Sequence, residues 1–104
     1  MTKVLFMGRK HVAATALQWL VDNGQEIVGV VTDAHLPVSV TGDLAKKLHL
    51  PLYSRHEIEN MVRLGTVDFD LGVSVLYWQK ITEPVLSAAR KGVINFHPAP
   101  LPLL

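Results

Sequence analysis

Four short runs dominated by β-branched and apolar residues, 3–7, 27–32, 69–76 and 93–96, are spaced along the chain with segments of helical length between them. Each run is continuous or nearly so, the pattern of strands buried on both faces of a parallel sheet. Residues 11–21 place Ala13, Leu17, Leu20 and Val21 on one helical stripe, which Asn23 and Gly24 stop. Residues 43–49 read as a short helix ended by Leu50 and Pro51, and residues 51–53 as a brief edge strand, where proline's missing donor does least harm. Ser54 and Glu57 have capping-box spacing ahead of Ile58, Met61 and Val62 on one face. A further helix opens at Thr82, Glu83 and Pro84 and closes at Arg90, Lys91 and Gly92, with cations in its last turn and a glycine after it. This alternation predicts an α/β fold: a Rossmann-like, doubly wound and mostly parallel sheet of about five strands with helices on both faces. Residues 1–104 read as one domain.

Composition narrows the function classes. Nearly half of the residues, 49%, are hydrophobic and 18% are charged, which is unlike a disordered chain. Without cysteine there is neither a disulfide framework nor a thiolate metal site. A net charge of +1 carries no basic stripe for general nucleic-acid binding. No apolar run reaches the roughly 18 residues of a membrane span, and the Met-Thr-Lys start leads into a strand rather than a signal segment. The expectation is a cytoplasmic globular domain with no membrane and no nucleic-acid partner.

In open α/β sheets, ligands bind beyond the carboxyl ends of the strands, where strand order reverses. That rule selects the loops at 8–11, 32–41 and 77–82 and the segment around His97. In the first, Gly8, Arg9, Lys10 and His11 lead from a strand into a helix. Either backbone amides and two cations hold a phosphate or carboxylate there, or Gly8 makes the turn and the cations are solvated. A dinucleotide site using Asp33 is disfavoured, because Lys10 and Ala13 stand where the motif needs its second and third glycines, and Asp33 reads as a turn residue. Strand periodicity puts Asn95 and His97 on one face, just before Pro98. The amide can donate to a developing oxyanion, and the imidazole, which titrates near neutrality, can move a proton. The alternative for this pair is structural: Asn95 caps the loop and His97 donates to a backbone carbonyl. Tyr77 and Trp78 either wall a pocket for a flat ring or mark the edge of the core. The remaining histidines lack ligand spacing, so no metal site is expected.

The segment 92–102, GVINFHPAPLP, resembles the signature strand and loop of the 10-formyltetrahydrofolate-dependent formyltransferases, which act on methionyl-tRNA, glycinamide ribonucleotide or sugar nucleotides. The resemblance extends over almost the whole chain, through KVLFMG, VVTD, GDLAKKLHLPLY, DFDLGVSV and QKITEPVL. It implies that Asn95 and His97 are two of the family's Asn-His-Asp catalytic set. An amine would attack the formyl carbon of 10-formyltetrahydrofolate to give a tetrahedral intermediate, whose oxygen Asn95 would stabilise while His97 assists with charge and proton transfer. The same resemblance implies that Trp78, Gln79, Lys80, Ile81 and Thr82 line the folate's pterin pocket, largely through backbone groups and apolar walls around Ile81. It places Gly8, Arg9, Lys10 and His11 against the acceptor, a small-molecule amine. Sugar-type enzymes are nearest to HPAPLP.

The chain departs from the family pattern at Leu103 and Leu104, where a basic or aromatic residue and a glycine-containing stretch would follow. The family's aspartate then has no matching position, and Asp68 and Asp70 do not replace it because they precede their strand and lie at its amino end. The resemblance thus predicts an N-terminal part of a formyltransferase, truncated at its C-terminus and inactive or weakly active alone. A rival expectation is a non-catalytic module that binds a ligand or self-associates. Its open C-terminal edge, with Leu101, Leu103 and Leu104, would pair as a homodimer.

Overall fold

The computed structural model describes residues 2–32, 39–77 and 81–96. Five strands alternate with four helices: β1 (Lys3–Gly8), α1 (His11–Asp22), β2 (Glu26–Val31), α2 (Val40–Lys47), β3 (Leu52–Tyr53), α3 (Arg55–Leu64), β4 (Leu71–Val75), α4 (Glu83–Ala88) and β5 (Val93–Phe96). The strands form one sheet in the order β3-β2-β1-β4-β5, with every neighbouring pair parallel. From β1 the chain winds outward to β2 and β3, then returns to the other side of β1 for β4 and β5. Strand order therefore reverses between β1 and β4, where ligands enter folds of this Rossmann-like kind.

Continuous apolar runs become buried strands because both faces of the sheet are covered. On one face Val4, Phe6, Val30 and Val75 pack against Ala13 and Leu17 of α1 and Ala45 of α2. On the other, Leu5, Met7 and Val31 pack against Ile58 of α3, Val85 of α4 and the flanking Phe69 and Tyr77. Phe6 and Phe69 are fully buried, one in each layer. Burying such a ring contributes about 1.5–3 kcal/mol.

The capping box at Ser54 forms as expected: its hydroxyl accepts from the Glu57 backbone N–H at 3.1 Å, and the Glu57 carboxylate accepts from the Ser54 N–H at 2.9 Å. Asn23 ends α1, its amide donating to the Trp19 carbonyl at 2.8 Å.

Three expectations are corrected. The second helix spans Val40–Lys47, not 43–49: Ser39 caps it by accepting from the Gly42 N–H at 3.0 Å, and His49 takes a left-handed φ of 57° beyond its end. The last helix ends at Ala88, with Ala89 already extended, so Arg90 and Lys91 are not in its final turn. Arg90 is drawn off instead by Asp68 and Asp70. The fourth strand begins at Leu71 rather than 69, because the Asp70 carboxylate is turned to accept from the Lys3 backbone N–H at 3.0 Å.

Candidate functional site

The carboxyl ends of β1 and β4 carry a cleft of about 390 Å³ lined by Arg9, Lys10, His11, Val12, Ser39, Val40 and Leu76. It lies at the reversal of strand order, formed by the residues that follow β1, the start of α2 and the residue that follows β4. The start of α2 grips the loop after β1. Ser39 Oγ donates to the Arg9 carbonyl at 3.3 Å, Thr41 N–H donates to it at 2.9 Å, and Thr41 Oγ1 donates to the Lys10 carbonyl at 3.2 Å. Those contacts tie the loop after β1 to the start of α2. The first turn of α1 holds no acidic residue, and Lys10 gives it no side-chain cap. Its amino end at the cleft therefore carries the helix's partial positive charge with no acidic side chain in its own first turn.

Gly8 does something other than make a turn. It closes β1, where a Cβ would stand 2.5 Å from Ala13 Cβ and 3.0 Å from the Val75 carbonyl oxygen. No side chain fits, because α1 crosses directly over the end of the strand. Glycine is thus required for the close approach that brings the start of α1 to the cleft.

Leu76 links this cleft to the loop after β4. It adopts φ 51°, a left-handed conformation unusual for a bulky residue, and its N–H donates to the Phe96 carbonyl at 3.1 Å. Strain of this kind concentrates where a fold redirects its chain at a ligand site. Here the backbone turns from β4 to the other side of the sheet. Tyr77 follows and is buried in the layer beneath α4, which settles one half of the aromatic pair as core. Trp78, Gln79 and Lys80 lie outside the described residues. Ile81 packs half-buried against the α3 and α4 layer, giving that loop an apolar wall.

Thr82 caps α4 by position, yet its hydroxyl makes no bond to the helix; it donates to the carboxylate of Glu59 on α3, which is 9% exposed. The pair ties the end of the loop to α3. Nothing in the local sequence marks Glu59, which sits on a helix among other polar residues, and only the packing of α3 on α4 reveals it.

Asn95 stands on β5 opposite Ser74 of β4, on the face covered by α3 and α4. Its side chain is exposed, as a group that meets a ligand must be. His97, Pro98, Asp33 and the C-terminal residues 99–104 lie outside the described residues, so the expected pairing of Asn95 with His97 falls outside them as well. Among the described residues no three His, Cys, Asp or Glu side chains group as a metal site, and no helix is long and apolar enough to cross a membrane.

Asp68 and Asp70 are at the amino end of the sheet, opposite the cleft. Arg90 binds both carboxylates, reaching Asp70 at 3.0 Å, and Lys3 lies 3.9 Å from Asp68. The hydrogen bond from Arg90 holds the Asp68 carboxyl below its ordinary range, and the Lys3 backbone N–H, then Arg90, do the same for Asp70. Both groups serve the fold.

No family model matches the chain. By sequence it is similar to the methionyl-tRNA formyltransferase of Herpetosiphon aurantiacus, with 29% identity over 112 residues covering 97% of this chain and 37% of that protein. The methionyl-tRNA formyltransferase of Staphylococcus aureus strain JH1 is 30% identical over 113 residues, covering 98% of this chain and 36% of its own length. The chain thus spans a little over one third of these curated relatives. Among solved structures, glycinamide ribonucleotide transformylase 1 from Symbiobacterium toebii superposes with a TM-score of 0.70 at 16% identity, over 98% of this chain and 54% of that one. Phosphoribosylglycinamide formyltransferase from Bacillus halodurans gives 0.71 at 20% identity, over 96% and 58%. These two superpositions show a shared fold.

Proposed function

We propose that the chain is an N-terminal domain of a formyltransferase and contributes to transfer of a formyl group from 10-formyltetrahydrofolate to a small-molecule amine. The observation that carries this reading is the placement of Asn95. It is an exposed amide at the carboxyl end of β5, on the same face as the loop that Ile81 and Thr82 close. That face suits a folate: Ile81 supplies an apolar wall, and the Glu59–Thr82 pair fixes the far side of the loop.

The folate would supply the formyl carbon. Asn95 donates a hydrogen bond to the carbonyl oxygen as negative charge gathers on it, a contribution that grows toward the transition state. His97 moves the proton released by the attacking amine. On this reading Trp78, Gln79 and Lys80 complete the pterin pocket. The cleft beside Arg9, Lys10 and His11 takes the acceptor, whose phosphate or carboxylate meets the amino end of α1. An amino sugar bearing an anionic group fits it. The chain acts in the cytoplasm, and the 104 residues alone transfer little or no formyl group, since they hold no position matching the family's aspartate.

The test is to incubate the 104-residue chain with 10-formyltetrahydrofolate and a panel of amines, following folate binding by calorimetry and product by mass spectrometry. Saturable folate binding with little product is expected. No binding at any concentration sinks the formyltransferase reading. Rapid formylation that His97→Ala abolishes contradicts the expected inactivity while supporting the reaction.

One observation favours a second reading. β5 is an edge strand whose Ile94 and Phe96 are 56% and 52% exposed on the α1 side of the sheet, so two copies can pair along it. Light scattering separates the readings, since a monomer at every concentration removes the second.

A further inference from the structure

Ser74 is the penultimate residue of β4 and is 1% exposed, yet its Oγ has no hydrogen-bond partner among the described residues. A buried hydroxyl without a partner loses its water and gains nothing in return, so a valine or alanine would suit a purely structural position better. The ladder shows what stands beside it. Ser74 is flanked by Met7 of β1 on one side and Asn95 of β5 on the other, and in a parallel sheet such register partners project from the same face. Met7 offers a thioether packed in the core. Asn95 offers a carboxamide that is exposed and able to rotate about χ1 and χ2.

We propose that Ser74 is a positioning residue for Asn95: on rotation of the exposed carboxamide from its orientation in this structure, Asn95 Oδ1 accepts from the unpartnered Ser74 hydroxyl and the amide NH2 turns outward, toward the oxygen that gathers charge. Neighbouring strands are about 4.8 Å apart, a gap that a serine hydroxyl and an asparagine carboxamide on one face bridge with a single hydrogen bond. The direction of that bond decides the chemistry. With Oδ1 held by Ser74, both amide hydrogens are free to stabilise an oxyanion; with the amide reversed, Oδ1 would face the developing charge and oppose it. The catalytic consequence rests on the formyl-transfer reading of Asn95. The hydrogen bond itself does not.

The experiment is ¹⁵N relaxation of side-chain amides in the full 104-residue chain, with the Asn95 NH2 pair identified as the one lost in Asn95→Ala. The expected order parameter for Asn95 Nδ2 approaches that of rigid backbone, roughly 0.8, and falls below about 0.6 in Ser74→Ala. Ser74→Thr, which keeps the hydroxyl, restores it. An Asn95 amide already below about 0.6 in the unsubstituted chain overturns the proposal, and so does one that Ser74→Ala leaves rigid. A folate titration of the same samples separates the two claims. Folate binding with a mobile Asn95 defeats the positioning role alone, whereas a rigid, Ser74-dependent Asn95 without folate binding defeats the formyl-transfer reading alone.

Discussion

The two ends of the sheet are built on opposite plans. At the amino end, Asp68 and Asp70 precede β4, Arg90 precedes β5 and Lys3 opens β1, and their charges interlock so that three strands start from one tied point. At the carboxyl end polar groups are spread out and turned toward solvent: Lys10 and His11 are exposed at the cleft, Asn95 is exposed on β5, and Leu76 holds a left-handed backbone. The amino end joins its charged side chains to one another, whereas at the carboxyl end Lys10, His11 and Asn95 face solvent. The contrast shows why carboxylates at the amino end make poor catalytic candidates even where their pKa values are displaced.

The comparison breaks first at Gly8, the point where the open end rests on rigid packing. Gly8→Val should cost about 3 kcal/mol in urea unfolding, because the added atoms meet Ala13 and the Val75 carbonyl. A neutral Gly8→Val would mean that α1 is not held against the strand end. Next in size is Thr82→Val, which leaves the buried Glu59 carboxylate without its donor and should cost about 1–2 kcal/mol by the same measurement.

The tied end makes a prediction about acid. Both aspartates have folded pKa values lowered by Arg90 and the Lys3 N–H, so their contribution is present above the ordinary carboxylate range. It disappears as pH falls below about 4 and through the lowered values. Asp70→Asn should therefore lower the melting temperature at neutral pH, with the difference from the unsubstituted chain shrinking in acid. A difference that grows in acid would reverse the assigned sign. The smallest effect on stability belongs to Lys10→Ala, within about 0.5 kcal/mol, since the side chain is exposed. The same change should weaken binding of a phosphorylated amine about fivefold to tenfold in calorimetry.

Much of the architecture was legible because it depends on local pattern. Continuous apolar runs marked the strands, Ser54 and Glu57 announced their capping box, and period-two alternation put Asn95 beside the strand's carboxyl end. What escaped depends on partners distant in sequence. Ser39 was hidden as a helix cap because its loop gave no helical period before Val40. Arg90 read as a helix terminator, yet it serves aspartates 20 and 22 residues earlier. Gly8 reads alike as a turn glycine or as a close-approach glycine until α1 is seen crossing the strand. Ser74 carried no signal at all: a lone serine in an apolar run matters only because the ladder sets it against Asn95.

The central claim is that the carboxyl end of β4 and β5 receives the folate. Its most direct test is amide chemical-shift mapping of the ¹⁵N-labelled chain during titration with tetrahydrofolate. The account predicts saturable shifts at Ser74, Leu76, Ile81, Thr82 and Asn95, with Asp68, Asp70 and Arg90 unmoved. Shifts centred on the Asp68, Asp70 and Arg90 cluster, or none at high folate, would contradict it.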